Sequence, residues 1–289
     1  MTNSQILVAK EWKDYELIDS GEGEKLERFG AYIMARPDPR AIWNKGDVTL
    51  WKRADAVFAD EKWSFRSDPP TDWRVNYKDM KFKLRPTDFK HVGIFPEQAV
   101  NWEWIAEKLK AQNSNINSNL KFKILNLFAY TGGATMAAAL AGGMVTHVDA
   151  SRPAMMWASE NALLSGITKD KIRWIQDDAM KFVQREIRRG VKYDAIIMDP
   201  PRFGRGTAGE VWKLEEDLPK LVWAVKQLLS PTPLFWLING YTADLSHMAL
   251  KNLLGDAMCT EAESGELGLV ESAKGRIMPA GIWARWASK

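Results

Sequence analysis

Asn126-Leu-Phe-Ala-Tyr130-Thr131-Gly132-Gly133-Ala-Thr135 sets two adjacent glycines directly after an apolar run. Glycine takes backbone angles closed to other residues and lets a ligand approach the main chain. Seventeen residues beyond Gly132 stands Asp149, in His147-Val-Asp149-Ala150-Ser151. A carboxylate placed beside a glycine turn can accept hydrogen bonds from both hydroxyls of a ribose. A third segment, Gln176-Asp177-Asp178-Ala179, offers acids that could accept from an adenine amino group or cap a helix.

The fourth segment is Asp194-Ala-Ile-Ile-Met-Asp199-Pro200-Pro201-Arg202-Phe203-Gly204. Two prolines fix an extended backbone and remove its donors, leaving a carboxylate and carbonyls to face a cleft. Asp199 and the backbone around it are therefore candidates to hold a reacting group, and Phe203 could stack on an extruded base or pack back onto the domain. The glycine spacing is not G-x-G-x-x-G, which argues against a dinucleotide fingerprint.

Such residues need a scaffold that delivers strand ends to one edge. Strands are predicted at Phe122–Leu127, Val145–Val148, Ile172–Gln176, Asp194–Met198 and Leu234–Ile238. Helices are predicted at Thr135–Ala141, Arg152–Ser165 (N-cap Ser151), Ala179–Arg189, Val211–Leu229 and Ser246–Met258. Segments near Glu263–Leu269 and Ile282–Trp286 read as a final, antiparallel pair. Alternating β and α elements imply a mainly parallel, Rossmann-like α/β sheet with ligands at the carboxyl ends of its strands. The four segments all fall at such ends.

Before this region the pattern is β-rich. Tyr15–Ile18, Lys25–Phe29 and Ala31–Met34 read as strands, and Trp73–Tyr77 and Met80–Leu84 as a hairpin around Lys78-Asp79. A helix follows Pro96 with Ala99, Trp102, Ile105 and Leu109 at helical spacing, and 112–119 reads as a polar connector. The expected organisation is a β-rich domain over 1–90, a linking helix and connector over 91–119, and a catalytic domain over 120–289.

Composition narrows the function. The chain has 289 residues and a formal net charge of +3, too even a balance for a histone-like polyanion binder. One cysteine, Cys259, excludes an internal disulfide and any mechanism needing two thiols, and only three histidines make a metal site unexpected. The N-terminus has no signal-peptide pattern and no apolar run reaches the ~18 residues of a membrane span, so a cytoplasmic protein without membrane association is expected. Fourteen tryptophans are unusually many, and most are expected in cores.

In combination the motifs resemble the class I S-adenosylmethionine-dependent methyltransferases, and among them the bacterial 23S ribosomal RNA large-subunit group. That group shares N-x-F-x-Y-T-G-G, D-x-S, D-D and D-P-P-[KR]-F, matched here over about residues 90–240. The resemblance implies a seven-stranded methyltransferase sheet with an antiparallel last strand. It implies S-adenosylmethionine over Tyr130, Thr131, Gly132 and Gly133, with Asp149, Ala150 and Ser151 at the ribose and Asp178 and Ala179 near the adenine. Phe95 and Gln98, in Gly93-Ile-Phe-Pro-Glu-Gln98, match the segment that covers the cofactor in the family. The acceptor would meet Asp199, Pro200, Pro201 and Phe203, with Asp199 also bordering the cofactor.

One departure bears on mechanism. Methylation at C5 of a pyrimidine needs a thiolate to add at C6, and relatives using it carry a cysteine after the fourth or fifth strand. Here those places read Asp199-Pro-Pro-Arg-Phe203 and Leu237-Ile-Asn-Gly-Tyr241, and Cys259 is expected to be buried at the end of a later helix. Transfer to a nitrogen, with RNA as partner, is the expectation. A protein or small-molecule acceptor, a nicotinamide-dependent oxidoreductase and a non-catalytic RNA-binding protein are the alternatives. Two basic sets could touch RNA or be solvated faces. One is Lys78, Lys81, Lys83, Arg85 and Lys90 among Tyr77, Phe82 and Phe89; the other is Lys181, Arg185, Arg188, Arg189 and Lys192. His147 is expected in the core, and His91 adjoins the covering segment.

Overall fold

A computed structural model describes residues 5–115, 121–205, 211–241 and 245–288. In chain order its elements begin with β1 (Gln5–Val8), β2 (Tyr15–Gly21), β3 (Glu24–Phe29), β4 (Tyr32–Pro37), α1 (Val48–Trp51), β5 (Ala56–Ala59), β6 (Lys62–Phe65), β7 (Arg74–Tyr77) and β8 (Met80–Lys83). They continue with α2 (Ala99–Asn115), β9 (Lys123–Leu127), α3 (Gly133–Leu140), β10 (Met144–Asp149), α4 (Arg152–Leu164), β11 (Ile172–Gln176), α5 (Ala179–Arg188) and β12 (Ala195–Met198). The last are β13 (Phe203–Arg205), β14 (Val211–Lys213), α6 (Leu214–Lys226), β15 (Phe235–Gly240), α7 (His247–Met258), β16 (Glu263–Val270) and β17 (Ile277–Ala287).

Two compact units result: Leu7–Ala99 with Leu267–Ala280, and Val100–Glu266 with residues 5–6 and 281–288. In the first, β2 to β6 form a five-stranded sheet and β7–β8 a separate hairpin. Residues of alternate parity separate its faces: Ile18, Leu26, Ile33 and Ala35 pack on Leu50 and Trp51 around α1. On the opposite parity Tyr15, Phe29 and Tyr32 join Trp73 in a chain of ring contacts. The hairpin forms as expected, but its aromatic residues do not face solvent. Tyr77 and Phe82 are fully buried, so only Phe89 of that interleaved set is available for stacking. Alternation there reports a half-buried ribbon.

The eight-stranded sheet runs β1-β16-β17-β15-β12-β9-β10-β11. Its strands β15, β12, β9, β10 and β11 are mutually parallel, and β17 is antiparallel to β15. The seven strands expected are present, and β1 adds an eighth at the edge beyond β16. Gln5 and Ile6 are exposed and Leu7 and Val8 half-buried, and the strand carries no pattern beyond a short apolar run. On one face Leu125, Leu127, Ile196, Met198, Trp236 and Ile238 pack with α5, α6 and α7. The expected helix from Val211 starts three residues late, because Val211–Lys213 pairs with Phe203–Arg205 before Leu214 begins α6. Of the polar connector 112–119, residues 116–119 lie outside the described residues, and α2 continues to Asn115. Trp223 alone of the fourteen tryptophans is exposed. Among the described residues no helix is long and apolar enough to cross a membrane, and no group of side chains could hold a metal ion.

Candidate active site at the strand ends

Register fixes what the sheet presents at its carboxyl edge. Met198 is level with Leu127 and Ile238, Leu127 with Val148, and Val148 with Ile175. The segments after these residues therefore leave the sheet side by side. Period two then sorts them. Leu127, Val148, Met198 and Ile238 point to the α5–α7 face, so Asp149, Asp199 and Asn239 share the other. Neighbouring strands lie about 5 Å apart, which sets Asp199 roughly 10 Å from Asp149, two strands away.

The loop after β9 is tightly wound. Phe128 and Tyr130 adopt positive φ of 56° and 48°, and Gly132 caps α3 at φ 88°. Both non-glycine residues cost conformational energy, and surrounding bonds hold them. The Tyr130 N–H donates to Asp149 Oδ2 at 2.8 Å, the Ser151 N–H donates to Oδ1 at 2.8 Å, and Asn161 Nδ2 donates to the Thr131 carbonyl at 3.0 Å. Asp149 thus accepts from the backbone on each side of it. It has no cationic partner among the described residues, and burial pushes its carboxyl above the usual range against those two bonds. A carboxylate held this way keeps lone pairs for further donors.

The two glycines have different duties. Gly132 needs its left-handed backbone. A Cβ on Gly133 would lie 2.6 Å from Cζ2 and 2.9 Å from Nε1 of Trp102, so the missing side chain makes room for an indole on α2. Sequence reasoning assigned that space to a ligand and did not foresee Trp102. Beneath the loop, Asn126 Nδ2 donates to Thr135 Oγ1, which lies 2.9 Å from His147 Nδ1. Burial draws His147 down to about 3, keeping it neutral, and its ring lies against Trp174. His147 is core, as expected.

Ser151 caps α4, accepting from Ala154 N at 3.3 Å. Ala150 is half-buried and Ala179, the first residue of α5, is buried. Asp178 caps α5 through Lys181 N at 2.9 Å, while Asp177 pairs with Arg185 at 2.7 Å. Asp199 extends the ladder by donating its N–H to the Leu127 carbonyl at 3.3 Å. Pro200 is buried and Pro201 exposed, its carbonyl accepting from Trp212 Nε1 at 2.7 Å. Phe203 begins β13, 62% exposed, with Arg202 over its ring at 5.3 Å. Phe95 and Gln98 belong to the other compact unit. There Phe95 lies against His91, and its carbonyl accepts from Gln98 N at 3.1 Å.

The basic stripe on α5 is largely engaged: besides Arg185, Arg189 pairs with Glu186, and Lys192 donates to the Gln227 carbonyl. Cys259 is exposed, contrary to expectation, because it ends α7 in the left-handed conformation that turns a side chain away from the helix. Its Sγ lies 3.8 Å from Lys226 Nζ, at the end of α6 that leads into the start of β15. Cys259 therefore sits at the opposite edge of the sheet from Asp199, about a strand length of 20 Å away.

A mainly parallel sheet that gathers a tight turn, a half-buried acid and an Asp-Pro-Pro segment at the carboxyl ends of its strands defines a Rossmann-like α/β domain. A family model for S-adenosylmethionine-dependent methyltransferases matches residues 34–245, and the chain belongs to that family, with S-adenosylmethionine as its cofactor. The crystal structure of a SAM-dependent methyltransferase from Agrobacterium tumefaciens is 40% identical, covers 99% of this chain and 94% of that one, and superposes with a TM-score of 0.91. SMU.776 complexed with SAH is 15% identical at TM-score 0.72, covering 96% of this chain and 76% of that one, and carries the fold alone. Ribosomal RNA large subunit methyltransferase K/L of Shewanella frigidimarina is 33% identical over 153 residues, 52% of this chain. The matched segment spans only 20% of that relative's length.

Proposed function

We propose that this methyltransferase acts on RNA of the large ribosomal subunit and delivers its methyl group to a base nitrogen, without a covalent thiol adduct. One observation carries the choice of nitrogen: the chain's single thiol lies at the far edge of the sheet, while the ends of β12 and β15 hold Asp199-Pro-Pro201 and Asn239-Gly-Tyr241. Similarity to the K/L enzymes supports RNA as the acceptor.

The residues fit the cofactor. Asp149, half-buried and bonded only to backbone N–H groups, would take the ribose hydroxyls. Tyr130, Thr131, Gly132 and Gly133 would form the floor, with Ala150 and Ser151 beside the ribose. Asp178 and Ala179 would border the adenine. When bound, S-adenosylmethionine supplies an electrophilic methyl group on a sulfonium sulfur. The chain's own residues orient the acceptor. Asp199 and the carbonyls beside it can only accept, because Pro200 and Pro201 have no N–H. They would therefore hold an N–H or amino group of the base and draw its proton away as the nitrogen attacks. Phe203 would stack on that base.

The reading is tested by incubating the protein with unmodified large-subunit ribosomal RNA and methyl-labelled S-adenosylmethionine, then digesting the RNA to nucleosides. A labelled N-methyl nucleoside is expected. A labelled 5-methylpyrimidine, or label found only in protein or small molecules, would overturn it.

A further inference from the structure

Asn239 is 3% exposed and stands on β15 one residue beyond the pairing of Ile238 with Met198, on the sheet face it shares with Asp199. Its Oδ1 accepts from Asn101 Nδ2 at 2.6 Å. Asn101, in the first turn of α2, in turn accepts with its Oδ1 from Arg285 Nη2. Arg285 is 5% exposed and has no carboxylate at ion-pair distance among the described residues. Its guanidinium lies instead over Trp283 at 4.4 Å and Trp104 at 4.9 Å, and its Nε is buried without a partner. Burial draws its pKa down to about 10, against Glu263 and Glu107, so it stays charged at neutral pH.

A guanidinium can only donate. The Asn101 atom facing Arg285 must therefore be oxygen, which turns the Asn101 NH2 toward Asn239. The Asn239 atom that receives it must again be oxygen. Polarity propagates along the three side chains and leaves the Asn239 amide nitrogen pointing away, with no partner among the described residues. Turning over either asparagine would set donor against donor or acceptor against acceptor. A buried arginine without a carboxylate is costly to maintain, and here it fixes one donor beside an acceptor.

We propose that Asn239 is a specificity-determining residue whose NH2 donates to a carbonyl oxygen or bare ring nitrogen of the methylated base, with Arg285 and Asn101 as positioning residues. The pair it makes with Asp199 would read a base edge where a donor adjoins an acceptor. This rests on the proposal that the acceptor is a nucleobase.

Asn101→Asp gives the decisive variant. Its carboxylate still accepts from Arg285 but cannot donate, so Asn239 must turn over and present oxygen. Protein saturated with S-adenosylhomocysteine would be titrated with AMP, GMP, CMP and UMP while the Asn239 side-chain amide resonances, assigned by their loss in Asn239→Asp, are followed. At least one nucleotide should shift them, with affinity falling tenfold or more in both variants. S-adenosylhomocysteine affinity should stay within twofold, and Asn101→Asp should melt no earlier than the parent. Resonances that ignore all four nucleotides, or an Asn101→Asp variant that binds nucleotides normally, would overturn the proposal. So would a parallel loss of S-adenosylhomocysteine affinity, which would hand the amide to the cofactor. Labelled methyl transfer to ribosomal RNA is measured beside these titrations; its failure while the amide still responds would sink only the ribosomal RNA reading.

Discussion

The Tyr130 N–H donates to the Asp149 carboxylate across two neighbouring strand ends, at 2.8 Å and nineteen residues apart. One bond fixes both a strained loop residue and the orientation of a half-buried acid. It also couples ligand affinity to pH. Burial raises the Asp149 carboxyl above its ordinary value of 3.8, so the ionised acceptor is lost at a higher pH than for an exposed aspartate. S-adenosylhomocysteine affinity should fall on acidification before pH 3.8 is reached, and Asp149→Asn should flatten that limb. The same shift runs against stability: the favourable contribution is present below the unfolded value and lost as pH rises through the folded one. Calorimetric titrations from pH 4 to 7 check the binding limb, and identical profiles for parent and variant would refute the assignment.

Gly133 should tolerate no side chain while Trp102 keeps its place. Gly133→Ala is expected to cost about 1–3 kcal/mol in denaturant unfolding, since the new Cβ would lie 2.6 Å from the indole. Combining it with Trp102→Leu should recover part of that cost. Strict additivity in the double-mutant cycle would show that the indole is not what Gly133 accommodates.

His147 stays neutral in the fold down to about pH 3, while the unfolded chain binds a proton near 6.5. Its contribution to stability is complete above pH 6.5 and is lost as pH falls toward 3, by up to about 1.4 kcal/mol per pH unit. His147→Gln should shallow the acid limb of a stability–pH curve. An unchanged limb would place the acid sensitivity elsewhere.

Asp199→Ala should lower turnover far more than S-adenosylhomocysteine affinity, because Asp199 stands beside Asn239 at the end of the neighbouring strand and two strands away from Asp149. Cys259→Ser should leave methyl transfer intact. Equal losses of turnover and affinity in the first variant would remove Asp199 from the acceptor site. Abolished transfer by a folded second variant would restore the thiol to the chemistry.

What the sequence made legible was the set of features whose cause is local. Glycine pairs, caps and an acid at a strand end announce themselves, so the β9, β10 and β12 termini and the helix caps Ser151 and Asp178 could be located from residue type and spacing. Contacts between distant segments could not. Trp102 reads as one apolar position on a helical stripe, and nothing near Gly133 signals the indole behind it. Asn239 and Arg285 lie 138 and 184 residues from Asn101 along the chain, and all three look like ordinary polar residues until β15 and β17 bring them together. Lys25, Glu27 and Arg36 look like the wet side of alternating strands. They are buried instead, Arg36 pairing with Glu27 at 2.5 Å and Lys25 with Glu27 at 3.4 Å. Alternation marks a face, and only the fold says what covers it.

Calorimetric titration with S-adenosylhomocysteine, on the parent protein and on Asp149→Ala with NAD as control, tests the assignment of the cofactor site most directly. Micromolar binding by the parent is predicted, with at least tenfold weaker binding by the variant and no binding of NAD by either. Equal affinity for S-adenosylhomocysteine in parent and variant would contradict it, by removing Asp149 and the strand-end cleft from the cofactor site.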